Sequence, residues 1–216
     1  MNGIKMDKLI EEIENIRKKL YEKYETKEKF YLKIKEAQRF CGEAISLVQQ
    51  NKMREANERI SLAEGIIKEI MEGITNYMDD LSEVYNTMLQ EYVEAKALID
   101  LEERGEIPKM DYLKVTERAY ILGLADLMGE LKRKAISNLI NAEIENAKEK
   151  MKIINQIFQS LEVLEYPRSL VPGLRKKLDD MRKSIEDLEK IIATSTITIK
   201  LYELLNNIYG EKYLKD

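Results

Sequence analysis

The pattern that most restricts the fold of this chain lies near the end of the sequence, where apolar residues recur every seven positions over a long segment. Two interleaved series make up this heptad pattern: Leu178, Ile185, Ile192 and Ile199, with Met181, Leu188, Ser195 and Tyr202. The stretch TSTITI within it alternates like a strand, but the longer heptad pattern predicts helix throughout. The 216 residues include only 3 Pro and 9 Gly, too few for the many turns of an all-β protein. We therefore predict an all-α fold, with one domain over residues 1–216 and six or seven helices.

Further helices are predicted wherever apolar residues recur at spacings of three and four. They lie at residues 6–24, 27–51, 56–78, 84–101 and 117–137, with a continuation to about 164 after a break near 138–141. Thr116 is a favourable N-cap for the helix at 117, and Pro108 suits the first position of a short helical turn. The two clearest loops are ERGEIPKM at 103–110 and EYPRSLVPG at 165–173. The sequence thus predicts long helices joined by few loops.

Composition excludes several classes of chemistry. The chain has no His, which excludes His-based acid–base catalysis and His-ligated zinc or iron. Its one Cys, Cys41, excludes an internal disulfide framework and favours a reducing, cytoplasmic setting. The net charge is −4, so any phosphate binding has to come from a local basic patch or a bridging metal ion. No apolar run reaches the roughly 18 residues of a membrane span, and the first residues do not resemble a signal peptide, so we expect no membrane association.

Two pairs of carboxylates stand on segments predicted to be helical and apolar. Glu91 and Glu94 lie three residues apart in QEYVEA, and Asp126 and Glu130 lie four apart, so each pair shares one face of its helix. Asp126 falls inside 119–128, which is apolar except for that Asp and one Gly. A helix that is apolar all round is expected to be buried, and an unpaired buried carboxylate is costly or takes up a proton. A divalent cation would remove this cost, and carboxylates without His or Cys suit Mg²⁺ or Mn²⁺.

Two other interpretations of these acids stay open at this stage. A chain with 40 acidic residues contains such pairs by chance, and most of them are solvated helix faces. Asp126 could instead form an ion pair with Arg118, Arg133 or a Lys in the core. Only the combination of an acid in an apolar segment with two acidic pairs brings a metal site into consideration.

The segment VTERAYILGLADLMGELKRKAISN, residues 115–138, resembles the hallmark segment of the translin and translin-associated factor X family. That segment reads V-T-x-x-x-Y-L-L-G-V-A-D-L-T-G-E-L-M-R. The positions that fit it at identical spacing are Val115, Thr116, Tyr120, Leu122, Gly123, Ala125, Asp126, Leu127, Gly129, Glu130, Leu131 and Arg133. Met128 and Lys132 depart from it, but neither replaces an acid. QEYVEA fits a second family segment, and the resemblance extends over residues 6–205, although it is specific only in these two blocks.

This resemblance implies an all-helical fold that assembles into a closed shell, typically an octamer, around RNA. In the factor X branch, acidic residues carry a Mg²⁺-dependent endoribonuclease that acts on single-stranded RNA, whereas the translin branch binds RNA or single-stranded DNA without that acidic set. By position, Glu91, Glu94 and Asp126 match the catalytic acids, and Glu130 matches a neighbouring acid that helps to hold the metal. Because Asp126 stands where translin has an apolar residue, the chain resembles the factor X branch. The resemblance therefore implies a minimal, archaeal-type member that forms a homo-oligomer by itself.

Basic residues on two segments are candidates for contacts with RNA. These candidates are Lys29, Lys33, Arg39, Lys132 and Arg133. The first three lie on a predicted helix that also carries Phe30 and Tyr31, so that charge and stacking would act together on a nucleic-acid strand. The last two follow Asp126 within one or two helical turns. The first three could equally belong to a solvated face balanced by nearby acids, and Arg133 could equally be the partner that neutralises a core acid.

Three other functions compete with an RNA-cleaving enzyme. A catalytically silent translin-like protein would bind RNA or single-stranded DNA with the same fold. A four-helix di-metal protein normally needs Glu-x-x-His pairs, which a chain without His does not have. A purely structural coiled coil does not account for an Asp within the apolar segment 119–128. Metal-dependent cleavage of RNA separates the silent protein from the enzyme.

Overall fold

Seven α-helices make up the part of the chain that the structure, a computed structural model, describes: residues 4–73, 78–164 and 170–213. In chain order they are α1 (Ile4–Gln49), α2 (Met53–Gly73), α3 (Met78–Arg104), α4 (Met110–Leu113), α5 (Glu117–Ile140), α6 (Ile144–Glu162) and α7 (Leu174–Tyr213). No strand occurs within these ranges, and the predicted all-α fold of six or seven helices is confirmed. Most of the predicted loop EYPRSLVPG lies outside the described residues.

The first helix is the longest, and it is continuous where two helices were predicted. α1 runs through residues 25–26 without a break, and the Thr26 hydroxyl donates to the Glu22 carbonyl at 2.9 Å, a bond typical of a hydroxyl within a helix. The predicted boundary was wrong because residues 21–30 contain no Gly or Pro that would end a helix; only the apolar pattern changes there. Apolar side chains between residues 6 and 24 are exposed, whereas from Ile34 onward one face of α1 is buried.

Most other helix ends lie near their predicted positions. Thr116 caps α5 as expected, since its hydroxyl accepts a hydrogen bond from the Ala119 amide at 3.2 Å. The expected break after α5 is present, and Ala142 has a φ of 61° there. The short turn α4 begins at Met110 rather than at Pro108, and α3 begins at Met78 rather than at 84. α2 is described as far as Gly73, and residues 74–77 of its predicted range lie outside the described residues. These differences move helix ends without changing the order of the elements.

The centre of the bundle is formed by α3 and α5. The second half of α1 packs with α2 against α3, while α6 and the first half of α7 pack against α5. Among the fully buried side chains of this core are Ile34, Ile60, Met88, Leu98, Leu127, Leu131 and Ile154. Gly123 lies where α5 meets α3, because a Cβ added there would come within 2.7 Å of the Gln90 carbonyl oxygen and of Val93 Cβ. This close approach brings the acid-bearing turns of the two helices next to each other.

The heptad segment is helical throughout, including TSTITI, as predicted. Buried positions in its first half include Leu174, Leu178, Leu188 and Ile192. Further along, α7 exposes the apolar side chains Ile197, Leu201, Tyr202, Leu204 and Leu205, and the start of α1 exposes Met6, Leu9, Ile10, Ile13, Ile16 and Leu20. We call these two sets the exposed apolar stripes. Within the described residues, no helix has the length and apolarity needed to cross a lipid bilayer.

Candidate functional site

The four acids singled out in the sequence lie on the two central helices. Glu91 and Glu94 are on α3, and Asp126 and Glu130 are on α5; we call these four side chains the acidic cluster. All four are half-buried rather than enclosed. The expectation that segment 119–128 would be buried all round was wrong, because one side of α5 reaches solvent and leaves 24% of the Asp126 side chain exposed.

Asp126 has an ion-pair partner that sequence spacing did not identify. The Lys177 ammonium, on the first turn of α7, contacts Asp126 Oδ1, and the Gln90 amide donates a hydrogen bond to Asp126 Oδ2. Of the other partners considered, Arg133 pairs with Glu130 at 3.2 Å and Arg118 pairs with Glu83 at 3.0 Å. The acid in the apolar segment is therefore neutralised by a lysine from a different helix.

Glutamine side chains hold two further members of the acidic cluster. Gln38 Nε2, on the buried face of α1, donates to Glu91 Oε1 at 3.0 Å, and Gln38 Oε1 accepts from the Lys35 ammonium at 2.8 Å. Gln49 Nε2, at the end of α1, donates both to the Glu130 carboxylate at 2.9 Å and to the Glu130 carbonyl at 3.0 Å. Together with Gln90, these amides orient three of the four carboxylates from helices α1 and α3.

Glu94 differs from the other three acids in its surroundings. Among the described side chains, none donates a hydrogen bond to its carboxylate. Burial, followed by the nearby charges of Asp126, Glu130 and Glu91, raises the pKa of Glu94 from 4.5 to about 8, against the opposing effect of Lys177. Glu94 is therefore largely protonated at neutral pH when no cation is bound.

Glu91 is also harder to ionise than an ordinary glutamate. Burial raises its pKa, the Lys35 ammonium and the Gln38 hydrogen bond lower it in part, and the charge of Asp126 raises it further. The effect of Asp126 on both glutamates shows that acids on α3 and α5 share one electrostatic environment. A carboxyl pKa raised by burial and by specific charged neighbours, as at Glu94, is typical of functional sites.

The donor chemistry of the acidic cluster suits a hard divalent cation such as Mg²⁺ or Mn²⁺. Four carboxylates can supply oxygen ligands and negative charge, while burial raises the pKa of the nearby Cys41 thiol and keeps it from acting as a thiolate ligand. As placed, however, no three acidic or cysteine side chains of the described residues are gathered closely enough to hold an ion together. Lys177 and the glutamines instead occupy oxygens that a cation would use.

The predicted RNA-contacting residues fall into two groups. Lys33 pairs with Glu69 at 2.6 Å and Arg39 pairs with Glu43 at 2.6 Å, so both belong to a balanced, solvated face of α1, on which Lys29 is also exposed. By contrast, Arg133 is next to the acidic cluster through its contact with Glu130. Lys132 is half-buried on the same turn of α5. The structure thus brings Arg133 to the cluster and leaves the α1 residues outside it.

Sequence reasoning missed Lys177, Gln38 and Gln49. The sequence does contain a hint that Gln38 is buried and hydrogen-bonded, because Gln38 lies beside Ala37 and three residues before Cys41 on a face that is otherwise apolar. A polar residue on such a face needs a buried hydrogen-bond partner. Lys177 has no comparable signal, because its partner lies 51 positions earlier in the sequence.

Comparison with known proteins places these features in a family. Residues 11–197 match the Translin family. The uncharacterised protein MJ0175 of Methanocaldococcus jannaschii is 32% identical over 126 residues, which make up 57% of this chain and 55% of that protein. The chain therefore matches only about half the length of this curated relative.

Solved structures resemble the fold over most of its length. The crystal structure of AfC3PO has a TM-score of 0.77 at 28% identity and covers 87% of this chain and 98% of its own. The complex of AfC3PO with duplex RNA has a TM-score of 0.76 at 28% identity, covering 87% and 97%. Apo-NeC3PO, at 24% identity and covering 85% and 96%, has a TM-score of 0.77 and shows the fold alone. Because the family match spans most of the sequence and includes both acid-bearing segments, the chain belongs to the translin family.

Proposed function

We propose that this protein is a Mg²⁺-dependent endoribonuclease of the translin-associated factor X type, which cleaves single-stranded RNA inside a closed homo-oligomeric shell. The observation that carries the proposal is the acidic cluster, in which Glu94 has a pKa of about 8 because burial, and then the three other carboxylates, oppose its ionisation. A surface face of acids would not produce that effect, since solvent screens exposed charges. The cluster therefore favours the binding of a positively charged ligand.

The proposal that the substrate is RNA rests on the relatives. The AfC3PO complex contains duplex RNA. The match to that protein has 28% identity and covers 87% of the present chain. We extend this to the present chain as RNA binding, with single-stranded DNA as a further ligand. Lys132 and Arg133 are the proposed phosphate contacts nearest to the acidic cluster, and Lys29, Lys33 and Arg39 are proposed to follow the strand farther away.

In this mechanism Glu91, Glu94 and Asp126 would hold the divalent cation, and Glu130 would help to hold it. A bound Mg²⁺ or Mn²⁺ would lower the pKa of a coordinated water and stabilise the leaving oxygen of an in-line displacement. Binding requires Glu94 to lose its proton, which makes the affinity depend on pH. A metal route also agrees with the absence of His, which leaves the chain without an imidazole acid–base pair.

The amide side chains give the site its orientation. Gln38, Gln49 and Gln90 each hold one carboxylate by a hydrogen bond from Nε2, so the oxygen that remains on each acid has a defined direction. Such outer hydrogen bonds fix ligand orientation in metal sites generally. Arg133 contacts Glu130 and is largely exposed, which supports the proposal that it attracts a phosphate towards the cluster.

The exposed apolar stripes support assembly into a shell. A monomer rarely leaves long rows of Leu, Ile and Tyr side chains in water, and these lie on two helices that extend beyond the core. We propose that the stripes on α1 and α7 contact neighbouring copies and that the assembly is an octamer. Enclosure of this kind would restrict the substrate to strands that can enter the shell.

The test is Asp126→Asn, which removes a charge while keeping the shape of the side chain. We expect Mg²⁺-dependent cleavage of a labelled single-stranded RNA to fall by about 100-fold or more, because an amide is a poor ligand for a hard cation. RNA affinity and particle mass should be unchanged. The matched control is Asp111→Asn, an exposed acid on α4, which should cleave like the wild type. Equal cleavage by the two variants would refute the site, and no cleavage by the wild type would favour the catalytically silent, RNA-binding alternative.

A further inference from the structure

Lys177, on α7, directly contacts Asp126, one of the proposed metal-binding acids. Its ammonium lies on Asp126 Oδ1, with 34% of the lysine side chain exposed. It also opposes the rise in the pKa of Glu94, so its charge acts on a second acid of the cluster. Of the other nearby cations, Arg133 lies on the solvent side of Glu130 with 65% of its side chain exposed, and Lys35 reaches Glu91 through Gln38.

The contact occupies one of the two oxygens that a divalent ion bound to Asp126 could use. Asp126 Oδ2 already accepts from Gln90, so with Lys177 on Oδ1 both oxygens of this carboxylate are engaged. An ammonium and a divalent cation also repel each other at such short range. For both reasons the two positive charges compete for Asp126.

We propose that Lys177 is a built-in counter-ion that occupies Asp126 until a divalent cation displaces it, and that it thereby weakens and sets the affinity of the site for that cation. The inference rests on the proposed function, because it takes Asp126 as a metal ligand. It also accounts for the separation of the carboxylates, which are held by Lys177 and three amides rather than gathered around one point. By linkage, whatever stabilises the lysine contact weakens the binding of the cation by the same factor.

The test compares Lys177→Met with Lys176→Met in the full chain after treatment with a chelator. Met keeps an unbranched stem of similar length and removes the charge, and Lys176 is the exposed neighbour on the same helix turn. We expect calorimetry to show that Lys177→Met binds Mg²⁺ at least about fivefold more tightly than the wild type, and Lys176→Met within about twofold of it. A lysine with a merely structural role would change affinity in the opposite direction, since its loss would loosen the site.

Melting temperatures show whether the Lys177→Met variant folds, and they report Mg²⁺ binding independently of calorimetry. In chelator, Lys177→Met should unfold at a lower temperature than the wild type, and Mg²⁺ should raise its melting temperature by more than it raises that of the wild type. If the Met variant does not fold, Lys177→Gln, which keeps a polar head, is compared in the same way. Unchanged or weaker Mg²⁺ binding by the neutral variant overturns the proposal.

Cleavage of single-stranded RNA, measured in parallel, separates this inference from the proposed function. If the wild type cleaves RNA with Mg²⁺ but the variant binds Mg²⁺ no more tightly, the counter-ion role is wrong and the function stands. If the variant binds Mg²⁺ more tightly but the wild type does not cleave, the counter-ion role stands and the function is wrong. If neither protein binds Mg²⁺, both are wrong.

Discussion

Replacing Glu94 by Gln should stabilise the protein at alkaline pH when no divalent cation is present. The pKa of Glu94 in the folded protein is about 8, above its ordinary value of 4.5, so the folded state favours the protonated form. The stability that this preference contributes is complete below about pH 4.5 and is lost as the pH rises through about 8. Gln resembles the protonated glutamate and does not titrate, so the variant escapes this loss.

The size of the effect follows from the pKa. At about 1.36 kcal/mol per pH unit, the difference between 4.5 and about 8 sets a ceiling of about 5 kcal/mol. Relaxation of Lys177 and of water around the ionised group reduces this value, and we expect about 2 kcal/mol at pH 9. For a chain of this length that corresponds to a rise in melting temperature of about 4–8 °C.

The assay is thermal unfolding followed by circular dichroism in chelator, across the range from about pH 5 to about pH 9. The variant and the wild type should melt together at the acid end and diverge steadily towards the alkaline end. Glu106→Gln, an exposed acid in the loop before α4, is the control and should show no such divergence. Adding Mg²⁺ should reverse the order, because the wild type gains a ligand that the variant lacks. A difference in melting temperature that does not change with pH would refute the reasoning.

Two further predictions concern packing and assembly. Gly123→Ala should destabilise the fold by about 2 kcal/mol, because its Cβ would lie 2.7 Å from atoms of α3. Gly129→Ala, whose Cβ would meet nothing within 4 Å, should be neutral or stabilising by up to about 1 kcal/mol. Thermal unfolding compares the two variants, and equal melting temperatures would contradict the close approach of α5 to α3. Ile13→Asp and Leu201→Asp, one on each exposed apolar stripe, should reduce the particle mass measured by light scattering while leaving the helical content intact, and an unchanged mass for both would contradict the assignment of the stripes to subunit contacts.

The fold was predictable because helical periodicity depends on neighbours along the chain. The heptad pattern correctly outweighed the strand-like TSTITI, and Thr116 was recognised as a cap from local chemistry alone. The exposed half of α1 was misread as a separate helix, since the three-and-four spacing of its apolar residues is interrupted by Lys23 and Lys27 before it resumes at Phe30 and Ile34. Its continuity depends on the absence of helix breakers, which is weaker information than a repeated pattern.

The site was only half predictable for a related reason. Spacing along one helix places Glu91 beside Glu94 and Asp126 beside Glu130, but it does not say which helix packs across from them. The partner of Asp126 comes from α7 because of how that helix docks on α5, which is a property of the whole core. The partial exposure of Asp126 was missed because an apolar sequence does not reveal which side of a helix is left uncovered.

The contact between Asp126 and Lys177 also bears on the order in which the protein is synthesised. The two residues are 51 positions apart, which a ribosome adding about 5–20 residues per second covers in about 3–10 s. Once Glu130 has been added, the nascent chain contains every carboxylate of the cluster but not yet the ammonium that balances Asp126. Completion of the site is therefore tied to emergence of α7, and a chain interrupted before residue 177 lacks the lysine that balances Asp126.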